Sequence, residues 1–334
     1  MKSFGFQWHV TNRCNARCVH CYQDEFSDAA DLPRDDVLLL ADRILEALPD
    51  SEVSVNLTGG EPLLWPHLLP LLQRLHTHPN FCKAQLITNA TVANDNQLRA
   101  LAEWEKFDLF KVSVESGDEG VNDAIRGKGS LSRTLRHMPL YLRYRPVVWM
   151  MTLGKHNAAS IPQTVQLARQ QGISGIIFER FVPLGQAMAA RSLVLDAQAW
   201  RTALMAILLE AGIEAEPEDL AGYRAFWLWT QEGHDEPLQG ALCNLGDESM
   251  ALLPDATVFP CRRLPVPVGN ALREPFTEIL ERLSNYRVDA LRRQLRGGLC
   301  GLCGVADCCG CRALSLAAQG DMLLDDPQCV LAIE

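Results

Sequence analysis

Three thiols stand close together near the start of the chain. The run Cys14-Asn15-Ala16-Arg17-Cys18-Val19-His20-Cys21 sets three cysteines on one loop, directly after a short β-rich stretch. Three thiolates can hold three irons of a 4Fe-4S cube and leave the fourth iron open to an exogenous ligand. A structural zinc site is normally closed by a fourth protein ligand. His20 is available for that, but it falls between two cysteines in a spacing unlike the usual zinc knuckles, so the pattern favours a cluster. A second constellation runs Cys243, Cys261, Cys300-Gly301-Leu302-Cys303, Cys308-Cys309-Gly310-Cys311 and Cys329, with Cys82 standing alone. Its close pairs suit further clusters or a pair of zinc ribbons. Twelve cysteines in a short secreted chain would suggest disulfides, but no export signal is expected for this chain, which is long enough to bury its own core. Soft-metal ligation is the better reading.

The elements that must hold these loops read as a strand-helix repeat. β-rich runs fall at 6–11, 53–58, 84–88, 109–115, 147–153 and 175–181, and amphipathic stretches at 35–48, 68–76, 95–105, 131–144 and 161–171. Right-handed crossovers then imply a parallel sheet, curled into a whole or partly open barrel, with a doubly wound sheet as the alternative. A helix is expected from about 195 to 212, followed by an acidic linker (Glu214 to Asp219) and an aromatic helix over 223–229 that packs two faces. The 334 residues carry 31 Lys+Arg against 41 Asp+Glu, a net charge of −10 that repels phosphate backbones and argues against nucleic-acid binding. With 48% apolar residues the composition excludes disordered and fibrous classes. No run of 18 apolar residues is present, so no membrane association is expected and the reading is cytoplasmic.

The Cys14–Cys21 loop resembles the CxxxCxxC signature of the radical S-adenosylmethionine (radical SAM) enzymes, and Thr58-Gly59-Gly60-Glu61-Pro62 resembles that family's GGE-P turn. The resemblance implies an α/β fold, a partial (β/α)6 TIM-like barrel, with motifs at the C-terminal ends of successive strands. Gly59 and Gly60 would let backbone approach a ligand closely, and the Glu61 carboxylate would accept hydrogen bonds from its ammonium. By the same resemblance Asn89, Ser113 and Glu115 would contact the ribose or methionine end of the nucleotide. Arg126 would meet the methionine carboxylate, His20 would stack on adenine, and backbone over 178–185 would edge it. Taken singly, Gly59-Gly60 reads equally as a turn, and Ser113 and Glu115 as an in/out strand pattern.

Cys243 to Cys329 resembles the SPASM extension of radical SAM enzymes, in cysteine order and in the intervening Cys311-Arg312-Ala313 and Gly320-Asp321. The resemblance implies two auxiliary 4Fe-4S clusters, three clusters in all. Cys243, Cys261 and Cys311 would hold the inner one, its fourth ligand not evident. Cys300, Cys303, Cys308 and Cys329 would hold the outer one, Cys308 being preferred to Cys309. Two features depart from the pattern: a usual glycine ahead of Cys261 is Ala256, and the 300–311 quartet is compressed. The division expected is a barrel over 1–190, a bridging helical region over 191–241 and a small cysteine-rich C-terminal domain over 242–334.

Such an enzyme would cleave S-adenosylmethionine reductively and abstract hydrogen through a 5′-deoxyadenosyl radical, with electrons from a flavodoxin or ferredoxin. The substrate expected first is a ribosomally made peptide or protein, presented by a separate recognition protein since no peptide-recognition segment is expected ahead of Cys14. Processing of tetrapyrrole side chains is the alternative, and a non-catalytic iron-sulfur carrier or zinc module the reading from another class. No catalytic side chain is assigned, and acids or tyrosines at the barrel mouth are unranked.

Overall fold

The computed structural model describes residues 2–231, 233–246, 248–296 and 298–332. Strands β1 (Lys2–His9), β2 (Ser51–Thr58), β3 (Phe81–Thr88), β4 (Phe107–Ser113), β5 (Val147–Leu153) and β6 (Gly175–Arg180) pair in parallel and in sequence order. A doubly wound sheet reverses its strand order at a switch point; this one does not. Helices α1 (Arg34–Glu46), α2 (Leu68–His76), α3 (Asp95–Ala102), α4 (Glu119–Arg126), α5 (Ser130–Tyr144) and α6 (Ile161–Gln170) make the crossovers, and α7 (Ala197–Ala211) follows β6. Buried apolar faces hold them to the sheet, and α3, α4 and α7 also start on a side-chain cap, whereas α1, α2, α5 and α6 do not. In α2, Leu68, Leu71, Leu72 and Leu75 are buried on one stripe. Asn94, Asp118 and Asp196 accept N–H groups at the starts of α3, α4 and α7.

The barrel stays open. Antiparallel β7 (Ala225–Trp229) and β8 (Leu238–Ala241) continue the sheet from β6, while β9 (Ser249–Leu252) pairs in parallel with the outer edge of β1 and is followed by β10 (Thr257–Phe259) and β11 (Gly269–Asn270). The result is an eleven-stranded, mostly parallel sheet, the partial TIM-like barrel expected, whose two flanks are supplied by the segments after α7. The cysteine-rich segment thus reaches the site by adding strands to β1.

Two local expectations are corrected. The aromatic stretch over 223–229 is strand, not helix: Phe226 and Leu228 are buried while Ala225, Trp227 and Trp229 are half-buried, a period of two. Aromatic side chains fit a half-buried pleat, and pairing with β6 overrides the helical reading. Among the described residues the bridging region is helical through the end of a 3-10 helix (Gly185–Leu193), α7 and a short 3-10 turn, Pro217–Leu220, that forms inside the acidic linker. Helix α4 was not expected, although Asp118 as its cap and Gly127 just past its end, at φ +99°, mark both limits. Among the described residues no single helix is long and apolar enough to cross a membrane.

Candidate functional site

The cysteine loop follows β1 and lies backbone-to-backbone on the turn after β2. The Gly60 N–H donates to the Thr11 carbonyl (2.7 Å) and the Glu61 N–H to the Arg13 carbonyl (2.8 Å). A Cβ on Gly59 would stand 2.5 Å from the Thr11 oxygen, and one on Gly60 would overlap the Arg13 carbonyl. The two glycines therefore serve loop-on-loop contact. From the other side, the Val19 N–H donates to the Ile125 carbonyl in α4 (2.8 Å) and the Ala187 N–H to the Cys21 carbonyl (3.0 Å). Cys14, Cys18 and Cys21 so held line a cavity of about 400 Å³. Burial pushes the Cys14 thiol up and the Cys21 thiol up to about 11, so ligation must displace protons.

Gly59, Gly60, Asn89, Ser113, Glu115, Arg126 and His20 line the same cavity, and Glu61 does not. Glu61 is fully buried: one carboxylate oxygen accepts from the Thr88 hydroxyl (2.8 Å) and the Leu63 N–H (3.2 Å), the other from the Asn89 N–H (2.8 Å). Burial pushes its carboxyl up, against the pull of these donors. In this arrangement Glu61 joins the ends of β2 and β3. Asn89 in turn donates to the Asn15 side chain (2.8 Å), fixing the first residue after Cys14.

Glu115 is the electrostatic centre. Its Oε1 accepts from Arg126 Nη1 (2.9 Å) and faces His20 Nε2 (3.1 Å), and its Oε2 accepts from the Thr152 N–H (2.8 Å). Burial opposes ionisation, but His20, Arg126 and the Thr152 amide outweigh it and hold the carboxyl at about 2. His20 and Arg126, expected to face adenine and a carboxylate, thus converge on a buried protein carboxylate at the cavity wall.

Several wall residues were not singled out from sequence. Tyr22, Arg262 and Arg263 line this cavity beside Cys243 and Cys261, which were expected as cluster ligands, and Glu179 and Arg180 of the 178–185 segment. The Arg262 guanidinium stacks over the Tyr22 ring (4.2 Å) and Arg263 donates to the Arg180 carbonyl (2.9 Å). The available signal was adjacency: Tyr22 follows Cys21, and Arg262-Arg263 follow Cys261.

A second, small cavity of about 10 Å³ is lined by Cys300, Cys303, Cys308 and Cys329 together with Arg224 and Asp326. Arg224 Nη2 donates to Cys308 Sγ (2.6 Å), the Gly310 N–H to the same sulfur (3.4 Å), and the Asp326 N–H to Cys300 Sγ (3.4 Å). The buried Asp326 carboxylate accepts from Arg180 (2.7 Å) and from the Cys311 N–H (2.8 Å), tying β6 to the cysteine-rich segment. Cys309 is not on this wall. Among the described residues no three His, Cys, Asp or Glu side chains converge on one ion. The thiols are spread around two cavities, and a cube takes one thiolate per iron. The donor set fits iron-sulfur clusters.

Residues 8–168 match the Radical SAM superfamily, and residues 243–309 match SPASM, an iron-sulfur cluster-binding domain. The chain is 27% identical over 342 residues to the AdoMet-dependent heme synthase of Methanosarcina barkeri (strain Fusaro / DSM 804), covering 97% of this chain and 95% of that one. It is 25% identical over 336 residues to the mycofactocin maturase MftC of Mycobacterium tuberculosis (strain ATCC 25618 / H37Rv), covering 97% and 82%. Native anSMEcpe with bound AdoMet and Cp18Cys peptide shares the fold, with a TM-score of 0.73 at 17% identity over 97% of this chain and 93% of that one. The chain is a radical SAM enzyme. It belongs to the members of that family that carry a C-terminal SPASM domain, and so binds S-adenosylmethionine and iron-sulfur clusters.

Proposed function

We propose that this enzyme abstracts a hydrogen atom from a side chain of a ribosomally made peptide or protein, using three 4Fe-4S clusters. One would sit on Cys14, Cys18 and Cys21 and two on the C-terminal cysteines. The single observation that carries this is the shared cavity, in which the N-terminal thiols and Cys243 and Cys261 line one space of about 400 Å³. When bound, an open-iron cluster and S-adenosylmethionine supply one-electron carbon-sulfur cleavage to a 5′-deoxyadenosyl radical. The chain's own residues would orient and protect that chemistry. Asn89 and Ser113 offer polar contacts on the wall, and the glycine turn allows close approach. Glu115 keeps His20 and Arg126 in fixed positions by the buried contacts described. Cys243 and Cys261, on the same wall, would hold an auxiliary cluster able to accept an electron.

Size supports a peptide. The cavity lies near the lower end of ordinary ligand sites, about 300–1,000 Å³. A bound nucleotide would take up most of a cavity of that size, so no more than a small part of a substrate would enter it, the rest lying outside. A recognition protein would present the peptide, and a flavodoxin or ferredoxin would supply the electron. The test is deuterium transfer: anaerobically reconstituted enzyme, S-adenosylmethionine and a reductant are incubated with side-chain-deuterated precursor peptides encoded beside the gene. Deuterium in 5′-deoxyadenosine is the expected result. Label arriving instead from a tetrapyrrole propionate, and from no peptide, overturns the assignment.

That second reading rests on an observation of its own. Arg262 stands on the cavity wall beside Cys261, stacked on Tyr22, while Arg180 and Arg263 there already face Asp326 and Glu179; a guanidinium matches a carboxylate in geometry and charge. Similarity to the heme synthase over nearly its whole length agrees with it.

A further inference from the structure

We propose that Cys309 supplies the fourth thiolate of the inner auxiliary cluster, together with Cys243, Cys261 and Cys311. This deepens the proposed function and rests on its iron-sulfur reading. The argument starts from two adjacent cysteines that part company. Cys308 lines the small outer cavity with Cys300, Cys303 and Cys329, which completes four thiols there without Cys309. Cys309 is buried in a separate apolar cluster with Val182, Leu245, Leu264 and Leu314, and the partly buried Cys243, Cys261 and Cys311 pack against that cluster. Its thiol donates to the Gly310 carbonyl (3.5 Å) and also interacts with the Cys243 thiol.

The local backbone explains the separation. Gly310 adopts φ +69°, and a Cβ there would press on the Arg312 guanidinium and stand 3.2 Å from Cys300 Sγ. This left-handed step returns the chain so that Cys311 joins Cys309 beside Cys243 and Cys261. The charges suit a tetrathiolate cube. Arg263 interacts with both Cys261 and Cys311, and Arg224 with Cys243 and Cys311. Four protein thiolates leave no iron corner for substrate, so the inner cluster would pass electrons rather than bind the reacting molecule.

The experiment uses the full chain carrying Cys14→Ala, Cys18→Ala and Cys21→Ala, so that only auxiliary clusters form, with and without Cys309→Ala or Cys309→Ser. Anaerobic reconstitution is followed by iron and sulfide counts and by electron paramagnetic resonance of the reduced protein, with and without cyanide. The parent is expected to hold about eight irons and to be insensitive to cyanide. Cys309→Ala should either lose about four irons or gain a cyanide-sensitive signal from the newly open corner. Cys309→Ser should keep the irons with shifted g values and midpoint potential. Cys82→Ala, at an exposed position, should match the parent. Identical spectra with and without Cys309, a parent already sensitive to cyanide, or a Cys243–Cys309 disulfide in the loaded protein overturns the assignment. Zinc without sulfide in the wild-type chain overturns the iron-sulfur reading itself.

Discussion

The N-terminal trio and the outer C-terminal quartet hold sulfur in opposite settings. Cys14, Cys18 and Cys21 sit on one short loop pinned by backbone contacts and open onto about 400 Å³, beside a buried carboxylate. Cys300, Cys303, Cys308 and Cys329 are gathered from thirty residues of chain around about 10 Å³, with sulfurs already taking hydrogen bonds from Arg224 and backbone amides. An iron that must bind a ligand needs room and an unfilled corner. A centre that only stores or passes electrons is better enclosed, with hydrogen bonds to its sulfurs setting its potential.

Single substitutions in the two sites should separate these roles, and this is the largest effect expected. Cys18→Ala and Cys303→Ala should each reduce the iron content from about twelve to about eight per chain. Only Cys18→Ala should abolish release of 5′-deoxyadenosine from S-adenosylmethionine and reductant, measured by chromatography. Cys303→Ala should still release it while losing product formation. Equal loss of release in both variants would remove the distinction between the sites.

The contrast extends to the surrounding charges. Arg126 and Glu115 form a pair in which both side chains are almost fully buried, whereas Arg293 and Asp289 pair at 3.1 Å on the surface. Arg126→Met leaves Glu115 uncompensated and should cost about 3–5 kcal/mol, read from denaturant unfolding. Arg293→Ala should cost less than about 1 kcal/mol. A small loss at Arg126 would mean that His20 and the Thr152 amide suffice for the carboxylate.

Acid should reach the same group. The Glu115 carboxyl is held at about 2 against an ordinary 4.5. A folded-state value below the unfolded one gives stability that is complete above about 4.5 and is lost as pH falls towards 2, on the order of 3 kcal/mol at most. Glu115→Gln should flatten that part of the stability profile of the metal-free chain between pH 5 and about 2, relative to wild type. An unchanged slope would show that other carboxylates dominate the acid limb.

Much of this was legible in the residue order because local spacing carries it. β5 and α2 begin and end where alternation and leucine spacing place them, and the cysteine loop and glycine turn fall at the ends of β1 and β2. What escaped was set by contacts distant in sequence. The aromatic run over 223–229 reads as a helix packing two faces until β6 is present to pair with it. Glu61 reads as a ligand group, yet its oxygens meet residues 27 and 28 positions away. Cys309 reads as surplus because the thiols it packs with, on Cys243 and Cys261, lie 66 and 48 positions back in the chain.

The smallest effect concerns how the cysteine-rich segment is fixed to β1. Ala256 turns the chain from β9 to β10 with φ +65°, fully buried, where the SPASM pattern has a glycine. A left-handed alanine costs about 1–2 kcal/mol. Ala256→Gly relieves that cost but gives up a buried methyl worth about 0.8 kcal/mol. It also gives the unfolded chain extra backbone freedom, worth about 0.4–1 kcal/mol. These terms nearly cancel, so the free energy of unfolding should change by less than about 1 kcal/mol in either direction, with the cluster spectra unchanged. A clear gain would show that backbone strain dominates at this turn. A loss above about 2 kcal/mol would show instead that the methyl is a working part of the core that joins β9 to the barrel, making this edge of the sheet more tightly packed than its short strands imply.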